Sequence, residues 1–280
     1  DKVFEDTRNL SVLSNAASKS SKFTVKNAND LPITTTKGTK LWIYDINLWT
    51  QQYGSVSYPF DIEIIELYTL KDMILHRKPT TSYNSMLITG GAIYLNVKKN
   101  GNTLIVNPYS PPQITIPAKT VDDAMWLFYE GNDREERFTW AEAPKDTIRQ
   151  GGGIDRVPLI IGGKGAYEIF PRQFGWINCD KFSNYAGEKT EVSFVSPKVG
   201  LESVAIFMVF PNISSVIQVY NGKSLLVPVG EDVKIVALAQ TKDGLVFSFF
   251  KDVKVEKQQT VEIDLKETTE KDFLDTLDKL

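Results

Sequence analysis

One cysteine and one histidine stand in 280 residues, no charge of one sign dominates, and no apolar run is long enough to cross a bilayer. Each shortage excludes a chemistry. The lone Cys179 has no disulfide partner within the chain, and one Cys with one His falls short of the roughly four ligands of a structural zinc site. With 32 basic against 35 acidic side chains the formal charge is -3, so no broad positive field gathers phosphate backbones. Nucleic acid is therefore not an expected partner. A spanning helix needs about 20 consecutive apolar residues, and no charged segment followed by an apolar stretch marks a signal peptide. The sequence opens on Asp1, which fits an exported protein whose signal has been removed, and a single cysteine suits either compartment.

What the chain does have is the composition of a folded protein, with 42% hydrophobic and 24% charged residues. Its length fits two domains, each able to bury a core. Residues 1–21, rich in Ser, Asn and charge, read as a flexible leader or tether. From Phe23 the chain turns to short runs of Val, Ile, Thr, Tyr and Phe such as KLWIY, FDIEIIELYTL, TLIVN and QITIP, the composition of strands. In AIYLNVKKNGNTLIVN the pair Asn100-Gly101 supplies the positive φ angles of a tight hairpin. Ile93, Leu95 and Val97 would share a face there with Leu104 and Val106. Glu66 falls on the otherwise apolar face of FDIEIIELYTL, which suggests a bulge or a sheet edge.

Three successive glycines in DTIRQGGGIDRVP read as a linker, so the boundary is expected near Gly152. Strand patterns resume beyond it, with turns at Asn221-Gly222 and Asp243-Gly244. Helical spacing is confined to a turn at Lys71 to His76 and to the end, where Phe273, Leu274, Leu277 and Leu280 recur behind a Thr269/Asp272 cap. The expected fold is all-β: two antiparallel β-sandwich-like domains, 22–150 and 151–280, with a short C-terminal helix.

The segment FGWINCDKF concentrates the candidate chemistry. A catalytic thiol needs a base to form thiolate, and the histidine, His76, lies about a hundred residues earlier, so Cys179 reads as a buried small apolar residue. Asn178 and Asp180 have the two-residue spacing of calcium ligands but lack the glycine and distal glutamate of the full loop, which leaves turn and strand-end chemistry. With Ile177 and Cys179 facing inward, Trp176, Asn178 and Asp180 face outward together as a candidate binding surface.

Other motifs exclude more than they include. IIGGKGAY would need glycine at Pro158 and Ser or Thr at Gly165 to be a phosphate loop, and glycine at Glu168 followed by a helix to bind a dinucleotide. It reads as a turn between strands, and no cofactor is expected. The carboxylate pairs Asp61 and Glu63, and Glu135 and Glu136, read as solvated faces. Trp42, Trp49, Tyr53, Trp126, Trp140 and Trp176 are candidates to stack on a sugar ring, set against a sandwich core that consumes aromatics.

The stretch TKLWIYDINLW, followed by FDIEIIELYTLKDMILHRKPTTSYNSMLITGGAIYLNVKKNGNTLIV, resembles a β-rich domain of exported proteins of Bacteroidetes. In that pattern a strand ending in Glu leads to a DMIL turn, a KPTTS loop, a GG strand and an NG hairpin. FGWINCDKF and DLKETTEKDFLDTLDKL are similar to the second half, and the N-terminal part is faintly similar to the ZU5 domain. The resemblance implies a periplasmic or lipid-anchored protein of the cell surface, touching membrane through a removed N-terminal anchor, and carries no catalytic residues. The expected function is non-enzymatic binding or scaffolding of a protein or glycan at the cell envelope. A carbohydrate-binding module and a thiol-dependent hydrolase are the alternatives.

Overall fold

The computed structural model describes residues 2–135, 137–144, 160–163 and 165–280. They are organised mainly as antiparallel β-sheets. The main sheet runs in the order Ser21–Val25, Phe60–Leu67, Ser85–Lys99, Gly175–Phe182, Trp126–Asn132, Phe138–Glu142. A second sheet, in the order Ile160–Gly163, Ala166–Ile169, Gln113–Pro117, Lys40–Trp42, Ile33–Thr34, covers one face of it. The apolar alternation of Phe60–Leu67 explains this packing, because Phe60, Ile62 and Ile64 all join the core between the two sheets. Leu104 and Val106 meet Ile93, Leu95 and Val97 in that same core, behind a turn in which Asn100 and Gly101 have φ of 51° and 80°.

A C-terminal sheet, Ser215–Val219, Ala205–Phe210, Asp232–Gln240, Val246–Lys254 and Lys266–Thr268 in order, packs toward the other face of the main sheet. Leu67, Ala92 and Phe128 from one sheet share a buried cluster with Phe207, Val236 and Leu238 from the other. Three helices close its margins: α1 (Ser11–Ala16), α2 (Leu70–Leu75) and α3 (Glu270–Leu277). In α3 the Thr269 hydroxyl oxygen accepts from the Asp272 N–H at 3.0 Å and so caps the first turn. The far face of the C-terminal sheet has its own core around Met208, Ile217 and Ile235.

Three expectations need correction. The leader is no tether: Leu10, Val12 and Leu13 are buried, and Phe4 bridges Thr241 beyond Asp232–Gln240. Its few apolar residues are spaced to fill one gap between layers, which a low overall hydrophobicity conceals. The expected division at 150/151 also fails, because Ile160–Gly163, Ala166–Ile169 and Gly175–Phe182 pair with strands of the first sandwich. The strand Gly175–Phe182 completes two open edges at once, a gain no local pattern reports. The proposed boundary at Gly152 itself lies outside the described residues. Finally, Phe60–Leu67 is no edge. It runs between Ser21–Val25 and Ser85–Lys99 in unbroken register, and Glu66 is buried with the Thr35 hydroxyl donating to it at 2.7 Å and the Thr39 hydroxyl closer still.

Candidate functional site

The anticipated surface at Trp176, Asn178 and Asp180 does not exist as a surface. Asn178 and Asp180 are fully buried, because the face of the strand opposite Ile177 and Cys179 is the one that meets the C-terminal sheet. Nor do they sit at a turn or a strand end. They lie mid-strand, flanking a register shift, and the Asn178 amide donates to Asp180 Oδ2 at 2.6 Å while Oδ1 has no hydrogen-bond partner. Burial pushes the Asp180 pKa up to about 8, opposed by the Thr89 hydroxyl, the Asn178 amide and the Gly90 N–H. Trp176 is half-buried, with Tyr94 at 5.3 Å and His76 at 5.9 Å between ring centroids and the Lys78 ammonium 5.0 Å from its ring.

Cys179 is a core residue, as its isolation from any base suggested. Its thiol is buried on the face toward the second sheet, and burial, then the nearby Asp180 carboxyl, holds its pKa well above the usual thiol range. His76 stands on the opposite face of the main sheet, where Ser18 Oγ lies 3.0 Å from its Nε2, so the thiol and imidazole form no dyad. Among the described residues no group of three or more His, Cys, Asp or Glu is placed to hold a metal ion. IIGGKGAY forms a hairpin of Ile160–Gly163 with Ala166–Ile169, and its Lys164 lies outside the described residues, as does Glu136. Asp61 accepts from Thr24 and Glu63 from Ser20, both at 2.6 Å, so these carboxylates serve the sheet margin.

The aromatic candidates divide sharply. Trp140 and Trp126 point their indole N–H groups at the Pro79 and Ala143 carbonyls, at 3.0 and 2.9 Å, as rings absorbed into the fold do. Trp49 and Tyr53 instead border a groove of 460 Å³, together with Tyr94, Asn96, Thr103, Pro108, Gln173 and Phe174. The groove follows from strand pairing. On one side Ser85–Lys99 is paired by Gly175 up to Leu95 and by Asn102–Thr103 from Lys98 onward, leaving a notch at Asn96.

The rings at its rim are held by short-range bonds. Trp49 pairs with Ile105, and the next turn closes through Thr50 N–H to the Gly54 carbonyl, Tyr53 N–H to the Thr50 carbonyl and Gly54 N–H to Thr50 Oγ1, at 2.9, 2.9 and 3.0 Å. Tyr53 sits in that turn at φ 63°, a left-handed conformation disfavoured for a residue with a side chain. Tyr109 joins from another loop, where its N–H donates to Asn107 Oδ1 at 3.1 Å and Asn107 Nδ2 donates to the Ile46 carbonyl at 2.8 Å. Tyr53 and Tyr109 are 71% and 72% exposed, and both approach Trp49, with centroids 5.9 and 5.8 Å away. Isolated exposed aromatics are ordinary, whereas Trp49 and Tyr53 border one groove from bonded turns, with Tyr109 packed against Trp49 just outside its lining, and together they make a preformed apolar recess. The sequence reading found Trp49 and Tyr53 but not Tyr109, whose signal was its place in the turn-forming run Asn107-Pro108-Tyr109-Ser110-Pro111.

No family model matches this chain, and no curated protein matches it. Among solved structures, a chain titled the crystal structure of Gamma-CGTase from Alkalophilic bacillus clarkii aligns over 82% of this chain and 41% of its own length, at 9% identity and a TM-score of 0.20. A likeness that slight carries no argument about fold or activity.

Proposed function

We propose that the protein is a non-enzymatic binding protein and that the groove beside Trp49, Tyr53 and Tyr109 takes a saccharide. The observation that carries this reading is the preformed recess itself, with apolar rings on its rim and hydrogen-bonding residues Asn96, Thr103, Gln173 and the cationic Arg172 among its walls. A pyranose presents the complementary pattern, an apolar C–H face and a rim of hydroxyls that both donate and accept. The bonded turns hold the rings before any ligand arrives, which lowers the ordering entropy that binding would otherwise cost. The reading joins two expectations from the sequence, a binding protein of the cell envelope and a sugar-binding module. The envelope location rests on the sequence resemblance.

A two-dimensional NMR titration of the tryptophan indole signals against a panel of soluble oligosaccharides tests it. At least one saccharide should shift the Trp49 indole saturably, and Tyr53→Ala should raise the saccharide concentration needed for that shift about tenfold or more while leaving the spectrum folded. A panel that leaves Trp49 unmoved, or binding that both Tyr53→Ala and Tyr109→Ala leave unweakened, sinks the proposal.

A further inference from the structure

Between the main sheet and the C-terminal sheet the chain places a carboxyl group that no cation among the described residues balances. Asp180 is fully buried on the seam face, bonded through Oδ2 to Asn178, with the Thr89 hydroxyl and the Gly90 N–H beside the carboxyl and no hydrogen-bond partner at Oδ1 among the described residues. An ionised carboxylate in that setting would lack both water and a counter-charge, so the docked arrangement favours the neutral acid. The surroundings agree. The strand Ser85–Lys99 brings Thr89 and Gly90 against it and Trp126–Asn132 brings Trp126, none of them charged, while the hollow that Thr89 and Gly90 share with Ser214 of the C-terminal segment is also lined by Tyr68, Tyr167, Asp122 and Lys119. The next residue along its own strand, Lys181, is tied to Asp122, and Cys179 is the titratable neighbour that responds to its charge.

Apolar side chains such as Leu67, Ala92, Phe128, Phe207, Val236 and Leu238 fill most of the seam, and hydrogen bonds cross it near Asp180. Thr80 N–H donates to the Val216 carbonyl at 2.7 Å and Thr89 N–H to the Ser214 carbonyl at 3.0 Å, and the Thr80 hydroxyl also meets Ser215 Oγ at 2.9 Å and accepts from the Val216 N–H at 2.9 Å. Thr89 is therefore both the cross-strand neighbour of Asp180 and a seam donor. A hollow of 720 Å³ lined by Thr89, Gly90 and Ser214 leaves room for water beside that contact.

We propose that Asp180 is a proton-dependent catch, with the two sheets held most firmly while the acid is neutral and the seam opening more often as the proton is withdrawn. Its sign follows from linkage. The docked state keeps the proton up to a pH of about 8, whereas an opened, hydrated carboxyl releases it near the ordinary value of about 4. Stability of the seam is thus greatest at acid pH, falls as pH rises between those values, and is level above the upper one.

Amide hydrogen exchange read by NMR between pH 6.5 and 9 tests the catch in a His76→Gln background, because burial lowers the folded His76 pKa while an opened ring still takes up a proton around 6.5 and would add a dependence of opposite sign at the low end of that range. After correction for intrinsic exchange, the Thr80 and Thr89 amides should lose protection about tenfold per pH unit up to about pH 8 and then hold steady. Asp180→Asn should remove that dependence. An equal dependence in Asp180→Asn, or parallel loss at the Ile62 and Leu95 amides inside the first sandwich, overturns the proposal. Should Asp180→Asn fail to fold, the side-chain carboxyl carbon signal of Asp180 at pH 6.5 decides: a neutral acid sustains the catch and a carboxylate ends it.

Discussion

Trp49 and Tyr53 meet edge to face, their ring planes at 90° and their centroids 5.9 Å apart, although Tyr53 is largely exposed to water. Pairs of this kind stabilise by about 0.5 to 1.5 kcal/mol beyond area burial. Tyr53→Ala is expected to lower stability by no more than about that amount while weakening saccharide affinity tenfold or more. Calorimetric titration and urea unfolding on the same variant separate the two effects, and equal affinity with reduced stability would make Tyr53 a purely structural residue.

Leu13 is fully buried although it lies in a segment whose composition suggests a tether. Leu13→Ala removes a side chain packed among α2, α3 and both facing sheets, so the expected loss is about 2 to 5 kcal/mol, read as a shift in the urea midpoint. A loss under about 0.5 kcal/mol, typical of exposed positions, would mean that the leader is only loosely held.

Glu66 collects hydroxyls. Thr35 and Thr39 both donate to Oε1, and Thr39 also lies in hydrogen-bond contact with the Tyr68 hydroxyl. Thr39→Val removes one donor from a buried carboxyl group, and the expected cost is about 1 to 3 kcal/mol. Since both threonines serve one oxygen, the double variant Thr35→Val/Thr39→Val should depart from additivity in denaturant unfolding. Strict additivity would show that the network is not shared.

Gly91 has φ 120°, and a Cβ there would stand 2.8 Å from the Tyr68 ring. Both the backbone conformation and the close approach require glycine. Gly91→Ala should therefore destabilise by about 1 to 3 kcal/mol. A thermal melt unchanged from wild type would refute that packing.

His76 carries the opposite pH sign to Asp180. Burial lowers its pKa below the ordinary 6.5, with Asp72 opposing, so the folded protein keeps the ring neutral where the unfolded chain protonates it. Its contribution is present above pH 6.5 and lost as pH falls through the lowered folded value. His76→Gln should flatten the stability profile on the acid side, measured by urea unfolding at pH 5 and pH 7. A slope identical to wild type would exclude the ring as its source.

Much of the first sandwich could be read along the chain. Alternation in Phe60–Leu67 and the Asn100-Gly101 turn are encoded within a few residues, and period-two patterning against one buried face is a local signal. The Thr269 cap and the burial of Cys179 were legible for the same reason, the second because no base accompanies the thiol. The groove was legible in part. Trp49 and Tyr53 were visible as aromatic candidates, but the groove they border depends on where Gly175–Phe182 stops pairing, at Leu95, and where Asn102–Thr103 takes over, at Lys98.

Alternation placed Asn178 and Asp180 opposite Cys179, and that much the sequence by itself determined. Alternation names two faces and does not say what covers the second. The tertiary structure decided that the C-terminal sheet lies there, so polar residues expected in water are enclosed in the seam. The same long-range pairing drew Gly175–Phe182 across the expected boundary into the main sheet. Burial of an open strand edge is a property of partners far apart in sequence, and no short stretch of chain contains it.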